Sequence, residues 1–213
     1  MKKFELTRNA IAMHGKTLFQ IRAVSDFGRV KCGELGGYVE TERNLSQEGS
    51  AWVFRNALVY GNALVYGDAW VYGNARVYGN ARVSENAQVS ENALVCGNAQ
   101  VYGDAWVHGN ARVYGDAWVS ENAQVDGDAI ITRDARLFSE RDYVTVKGFG
   151  RENRYTTFFR EKTGTIGVKC GCFSGTIKEF KNQVKNTHGE SRLGKEYLML
   201  ADLIEYRLKN DKK

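Results

Sequence analysis

The chain has 213 residues, a formal net charge of +5 at neutral pH and a hydrophobic fraction of 43 %, values typical of a soluble chain that can bury one extended domain or two small ones. It contains no run of 18 apolar residues, and Glu5, Arg8 and Asn9 interrupt its N-terminal segment, so we expect a cytoplasmic protein with neither a membrane span nor a signal peptide. Its four cysteines are too few and too unevenly spaced for a disulfide framework.

Residues 1–50 have the character of a cap. The stretch KTLFQIRAV, residues 16–24, alternates apolar and polar side chains as a strand does. The stretch that follows it is rich in glycine and leads through turns into a regular repeat. An open stack of strands exposes hydrogen-bonding edges at both ends, so we expect this segment to cover the first of them.

Residues 51–138 consist of a six-residue repeat. Alanine occupies every sixth position from Ala51 to Ala135, which makes fifteen consecutive copies. Val, Ile or Leu stands two positions after each alanine, and Asn or Asp stands immediately before each one from Ala57 onward. A period of six would scatter the alanines around an α-helix, whereas short strands separated by turns place Ala and Val on one side of the chain.

The turns of the repeat are usually Gly-Asn or Gly-Asp. In three copies Ser-Glu-Asn replaces them, for example at Ser84-Glu85-Asn86. Because the glycine is dispensable in those copies, we predict that the Asn or Asp adopts the positive φ at each turn.

The Val-x-Gly-Asn-Ala pattern resembles the hexapeptide repeat of the left-handed parallel β-helix, the fold of the trimeric LpxA-like superfamily. The resemblance covers residues 51–138, and residues 1–50 are similar to the N-terminal block of a bacterial and phage subgroup labelled as transferases. It implies a mainly β fold in which three hexads form an 18-residue coil, about five coils in all, with residue n + 18 above residue n. It also implies a left-handed winding, which other parallel β folds avoid, and assembly into a homotrimer.

The 18-residue period assigns the outward side chains to three faces. Three of the four tryptophans share the first face, two Arg-x-Tyr pairs share the second, and Trp118 shares the third with Arg136. So many exposed aromatic side chains have three alternative explanations. They pack against the terminal segments or sister subunits, or they stack on a phosphate-bearing base beside arginine, or they are present only because they favour strands. The candidate binding residues are Trp52, Trp70, Trp106, His108, Arg76, Tyr78, Arg112 and Tyr114.

Residues 139–213 predict a small α+β unit. Alternating apolar residues indicate three or four strands, with a hairpin turn at residues 162–164. Thr176 and Glu179 form the pattern of a capping box that opens a helix ending near Gly189, and a second helix is predicted over residues 191–209.

Charge is unevenly distributed along the chain. Residues 139–213 have a net charge of +6, whereas the repeat has −3. The C-terminal unit is therefore the better candidate for an acidic partner, unless its basic residues are simply a solvated surface, and no DNA binding is expected.

Catalysis would depend on one histidine. The superfamily that the repeat resembles includes many acyltransferases with a histidine general base, and His108 is the single histidine of residues 51–138. No partner that would orient its ring is visible in the sequence, so interface packing is favoured over base catalysis with acetyl-coenzyme A as donor. Cys170 and Cys172 are compatible with a zinc site, but two buried thiols are favoured.

These observations favour a non-enzymatic binding or scaffold protein that needs no cofactor or metal. We expect it to form a homotrimer or another homo-oligomer and to hold a protein or a small anionic ligand, such as a nucleotide, at subunit interfaces. The alternative is a hexapeptide-type acyltransferase that uses acyl-coenzyme A and His108 as its base. The fold alone does not choose between them.

Overall fold

The protein is mainly β, and its computed structural model describes residues 2–149 and 153–210. The N-terminal segment forms β1 (Phe4–Met13), β2 (Lys16–Ala23), β3 (Leu35–Val39) and a 3₁₀ turn (Glu42–Asn44). The C-terminal segment has a 3₁₀ turn (Glu140–Asp142), β19 (Tyr143–Phe149), β20 (Arg154–Arg160), β21 (Ile166–Cys170), β22 (Phe173–Thr176), α1 (Ile177–His188) and α2 (Arg192–Asn210). Between them lie fifteen two-residue strands: β4 (Trp52–Val53), β5 (Leu58–Val59), β6 (Leu64–Val65), β7 (Trp70–Val71), β8 (Arg76–Val77), β9 (Arg82–Val83), β10 (Gln88–Val89), β11 (Leu94–Val95), β12 (Gln100–Val101), β13 (Trp106–Val107), β14 (Arg112–Val113), β15 (Trp118–Val119), β16 (Gln124–Val125), β17 (Ile130–Ile131) and β18 (Arg136–Leu137).

The short strands stack in parallel with the predicted register. Trp52 pairs with Trp70, and Trp70 with Gln88, so each residue lies beside the residue 18 positions later. Backbone hydrogen bonds join successive coils, for example from Leu58 N to the carbonyl oxygen of Ala75 at 2.9 Å. The repeat alanines and the branched residues two positions later are buried and form one continuous core. The Ala-x-Val pattern therefore builds a parallel β-solenoid, as predicted.

Three parallel stacks form the three faces of the solenoid. The first face is the stack β4-β7-β10-β13-β16, the second continues β5-β8-β11-β14-β17, and the third is β6-β9-β12-β15-β18. The second stack begins before the repeat, because Tyr38 of β3 pairs with Leu58 at an offset of 20 residues, and Leu45 bridges to Val65 on the third face. The N-terminal segment thus adds a turn to the five coils of the repeat, and the solenoid has about six turns. Its left-handed winding remains an expectation from the resemblance.

The residue with positive φ at each turn precedes the Asn or Asp, so our prediction for these turns was wrong. It is glycine in most copies, such as Gly73 with φ 71°, and it is Glu85, Glu91 and Glu121 in the Ser-Glu-Asn copies. The Asn or Asp has another role, because its backbone N–H donates to the next coil, as Asn74 does to the carbonyl oxygen of Glu91 at 2.7 Å. The residue with the left-handed backbone conformation is therefore one position earlier in each turn than we predicted.

The turn asparagines form hydrogen-bonded ladders along the solenoid. In each of the two ladders below, every asparagine side-chain amide donates to the side-chain oxygen of the residue 18 positions later. The ladder ends on an aspartate, which accepts but has no N–H to donate. One ladder runs through Asn56, Asn74, Asn92, Asn110 and Asp128, with N···O distances of 3.2–3.5 Å. A second runs through Asn62, Asn80, Asn98 and Asp116 at 2.9–3.1 Å.

The N-terminal segment covers the first coil. β1 and β2 form an antiparallel hairpin that extends the second stack, and Phe4 and Phe27 pack edge-on against the Trp52 ring with centroid distances of 6.1 and 5.3 Å. Trp52 is fully buried as a result. It shares the register of Trp70, as predicted, but it is no exposed binding residue, because the cap occupies the surface on which it would have been exposed.

The C-terminal unit covers the last coil. Its four-stranded antiparallel sheet, in the order β19-β20-β21-β22, lies between the solenoid and the two helices: Phe159 joins the solenoid core, and the neighbouring Phe158 joins the core under α1 and α2. The Thr176–Glu179 capping box that opens α1 is present, as predicted. An ion pair between the partly exposed Arg133 and the buried Glu161 connects the last solenoid turn to this sheet.

Candidate ligand-binding cleft

A cleft of about 690 Å³ lies where the third face of the solenoid meets the C-terminal unit. The solenoid contributes Tyr102, Trp118 and Arg136 to its wall. The C-terminal unit contributes Arg160 at the end of β20 and Lys162 in the β20–β21 turn. The volume is within the range of pockets that bind small organic ligands.

Arg136 is held rigidly on the solenoid wall. It lies one coil after Trp118 in the third face, which places its guanidinium 4.2 Å from the centroid of the Trp118 ring. Its Nη1 donates to the carbonyl oxygens of Asp116 at 2.9 Å and Ala135 at 2.8 Å. Tyr102 packs edge-on against the other side of Trp118 with a centroid distance of 6.2 Å. The wall is thus a preorganised stack of two aromatic rings and one cation.

Arg160 approaches the cleft from the C-terminal unit. Its Nε is buried, lies 3.2 Å from Asp142 Oδ1, and makes no hydrogen bond with any residue that the structure describes. The other carboxylate oxygen of Asp142 accepts from Phe138 N at 2.9 Å and from Ser139 N at 2.8 Å. Asp142 thereby balances the charge of Arg160 without satisfying its Nε donor.

The cleft has a positive net charge. Four cationic side chains line it, whereas its two carboxylates, Asp142 and Glu161, are both buried and engaged with other groups. Glu161 accepts from Arg133 and from Thr165 Oγ1 at 2.6 Å. Arg136 and the exposed Lys162 form no ion pair within residues 2–149 and 153–210, so these two charges are available to an anionic ligand.

The remaining first-face candidates lie outside this cleft. Trp70 and Trp106 are half-buried on the same stack, two coils apart, as predicted. Trp106 Nε1 donates to Ser90 Oγ at 3.0 Å, and its ring lies 4.3 Å from that of His108. Among the described residues, no hydrogen bond orients the His108 imidazole, so the geometry supplies no positioned general base.

The second-face candidates do not come together as one site. Arg76 and Arg112 are separated by Leu94 in the same stack. Tyr78 stacks on Tyr60 with a centroid distance of 5.0 Å and an interplanar angle of 6°. A hydrogen bond with Cys96 and, to a smaller extent, burial raise the pKa of Tyr78 to about 12. Tyr114 is half-buried on this face.

Trp118 and Arg136 share the third face, as the 18-residue period predicts, but they were not among the predicted binding residues. Their 18-residue separation was the available signal, because it predicts direct stacking. Arg160 and Lys162 had no such signal, because their place beside the third face depends on how the C-terminal unit docks.

The fold and the cleft define a β-solenoid protein. The family model described as the YdcK beta solenoid repeat matches residues 57–73, 69–85, 75–91, 87–103, 93–109 and 107–121. Together these segments span residues 57–121, so the similarity concerns the coils and includes neither end of the chain. No curated protein matches the chain.

Two further observations concern residues 2–149 and 153–210 alone. No helix in this part of the chain is both long and apolar enough to cross a membrane. The same residues contain no group of three or more His, Cys, Asp or Glu side chains placed to hold a metal ion.

Proposed function

We propose that the protein is a non-enzymatic binding protein whose cleft holds a small anionic molecule with a planar ring, such as a nucleotide. The observation that carries this proposal is the stack of Tyr102, Trp118 and Arg136 facing Arg160 and Lys162 across the cleft. Aromatic and guanidinium planes suit a ring. Arg136 and Lys162, which have no carboxylate partner among the described residues, suit phosphate. The proposal keeps the predicted ligand class but moves its site from the first and second faces to the third.

The rigid solenoid is the scaffold of this site. We propose that its coils are of the left-handed LpxA-like hexapeptide type and that the protein is a cytoplasmic homotrimer. Leu64 and Tyr66 support self-association, because they are 37 % and 41 % exposed on the third face away from the cleft. Acyl transfer has less support, because His108 lies outside the cleft and lacks an orienting hydrogen bond among the described residues.

Thermal shift and calorimetry with ATP, AMP, pyrophosphate and acetyl-coenzyme A test the proposal. A ligand at about 100 times its dissociation constant adds about 2.7 kcal/mol to the free energy of unfolding, which for a chain of this length raises Tm by roughly 5–10 °C. We expect ATP to give such a shift and pyrophosphate a smaller one, because pyrophosphate lacks the ring.

Matched substitutions of cationic residues test whether ATP binds in the cleft. Arg136→Gln and Lys162→Gln should each reduce the ATP-induced shift, whereas Arg112→Gln, which removes an exposed arginine of the second face, should leave it unchanged. No shift with any of the four anions would contradict the proposal. Retention of the full ATP shift in both cleft variants would do the same.

A further inference from the structure

Trp70 lies between two open grooves on the first face of the solenoid, remote from the cleft. One groove, of about 500 Å³, includes Arg29 in its lining, and the other, of about 430 Å³, includes Arg55. Trp70 and Gln88 line both grooves. The two grooves therefore share one half-buried indole ring, and each has one arginine in its lining.

Arg29 comes from the N-terminal cap. The Phe27–Val30 bridge closes a tight turn that directs Arg29 over the first face, where its guanidinium carbon lies 5.1 Å from the centroid of the Trp70 ring. Within residues 2–149 and 153–210 it forms no ion pair, and it is exposed. Asp68 also lines this groove, where its carboxylate accepts from Ser50 N at 2.9 Å.

Arg55 occupies a turn position at which most copies of the repeat have glycine. Its φ is 53°, which is unfavourable for a residue with a Cβ. Arg133 is the other arginine at such a position, and there the guanidinium binds the buried carboxylate of Glu161. Arg55 forms no ion pair or hydrogen bond with the described residues, so nothing within them compensates for the unfavourable backbone.

The surface offers hydrogen-bond donors around an apolar centre. Tyr72 donates to Gln88 Oε1 at 3.1 Å, which leaves the amide N–H groups of Gln88 free to donate outward. Phe54 packs edge-on against Trp70 at 5.6 Å and widens the apolar area. Both grooves are open to solvent, so they would enclose little of a small molecule but can accept an extended chain segment.

We propose that this surface, defined by Arg29, Arg55, Trp70 and Gln88, binds an acidic peptide segment of a partner protein. Two carboxylates of the segment pair with Arg29 and Arg55, and an apolar or aromatic side chain between them packs on Trp70. The charge complementarity supports this partner, because neither arginine forms an ion pair with the described residues. The one carboxylate that lines the two grooves, Asp68, already accepts from Ser50 N at 2.9 Å. The proposal is independent of the cleft and of its ligand.

Fluorescence polarisation with a labelled Asp-Glu-Phe-Glu-Asp peptide tests the proposal on the full chain, with Lys-Lys-Phe-Lys-Lys as the matched peptide control. Arg55→Gly is the decisive variant, because glycine suits the positive φ and should preserve or raise Tm while it removes the charge. We expect Arg55→Gly and Arg29→Gln each to weaken acidic-peptide binding at least about fivefold. Arg112→Gln, on another face, and Arg136→Gln, in the cleft, should change it less than about twofold.

Each alternative outcome overturns the proposal. Absence of acidic-peptide binding would do so, as would equal weakening by Arg112→Gln, which would indicate unspecific charge attraction. Tighter binding of a ten-residue oligothymidylate with the same dependence on Arg29 and Arg55 would assign the surface to nucleic acid instead.

Discussion

Gly73 and Glu91 occupy the same corner of successive coils, and a Cβ on Gly73 would lie 2.8 Å from the backbone nitrogen of Glu91. Gly73 also has a φ of 71°. Gly127, two coils beyond Glu91 at that corner, has a φ of 58° but no atom within 4 Å of a Cβ built on it. The two glycines thus separate the cost of the backbone conformation from the cost of close stacking.

Gly73→Ala should destabilise the protein more than Gly127→Ala. Both substitutions place a Cβ on a left-handed backbone, at a cost of about 1–2 kcal/mol, and Gly73→Ala adds a steric term of about 1–3 kcal/mol. Urea denaturation measures the difference in the free energy of unfolding. Equal losses for the two variants would show that the coils separate easily at this corner.

The asparagine ladder predicts that exchanging Asn and Asp has different effects on stability in the middle of the ladder and at its end. Asn92 accepts from Asn74 and donates to Asn110, so Asn92→Asp places two acceptor oxygens opposite each other. Reorientation of the Asn110 amide would not help, because that amide already donates to Asp128. We expect Asn92→Asp to cost about 1 kcal/mol of the free energy of unfolding.

Asp128→Asn is the control for this prediction. Asn at the end of the ladder can still accept from Asn110, so its effect should stay within about 0.5 kcal/mol. Differential scanning calorimetry of both variants makes the comparison. A loss for Asp128→Asn as large as that for Asn92→Asp would contradict the directional ladder.

The burial of Lys3 predicts an unusual pH dependence of the free energy of unfolding. Its ammonium donates to the carbonyl oxygens of Glu48 and Gly49 at 3.3 Å and of Ala51 at 3.0 Å, and burial lowers its pKa from 10.5 to about 8, with a smaller opposing effect of Asp68. Between pH 8 and 10.5 the unfolded chain therefore binds more protons than the folded chain. The free energy of unfolding should rise across this window by about 1–2 kcal/mol after allowance for solvent screening.

Lys3→Gln removes the titrating group and should remove this part of the pH profile. Urea titrations of both proteins from pH 7 to 11 give the comparison, since other titrating groups contribute equally to each. The prediction fails if the two profiles run parallel.

The solenoid could be predicted from the sequence, because its determinants are local and repeated. Pairing of Trp52 with Trp70 follows from a period of six together with the three hexads per coil that the resemblance implies. The burial of Trp52 could not be predicted, because it depends on Phe4, which is distant in sequence and reaches the first coil only when the cap folds. The positive φ of Glu85 was assigned to the wrong residue, because the need of Asn86 to donate to the next coil is invisible in one hexad.

The cleft is lined by residues other than the predicted binding residues. Aromatic and arginine side chains were expected together, and Trp118 with Arg136 provides that combination. The opposite wall depends on the docking of the C-terminal unit, through contacts such as the hydrogen bond from Ile130 N to Thr157 Oγ1 at 3.1 Å. Such contacts join elements without a common period, so the pattern that reveals the coils contains no information on them.

The Arg133–Glu161 pair predicts how the C-terminal unit is held on the solenoid. The Glu161 side chain is 2 % exposed, so removal of Arg133 would leave a carboxylate buried with Thr165 and no cation. Arg133→Gly suits the φ of 59° at this turn, yet it should cost about 2–4 kcal/mol of the free energy of unfolding through the unpaired charge. Hydrogen exchange should become faster in β20 and β21 but not in the central coils. In the Glu161→Gln background, where no charge is stranded, Arg133→Gly should cost much less, and an equal cost in both backgrounds would show that this pair does not hold the unit in place.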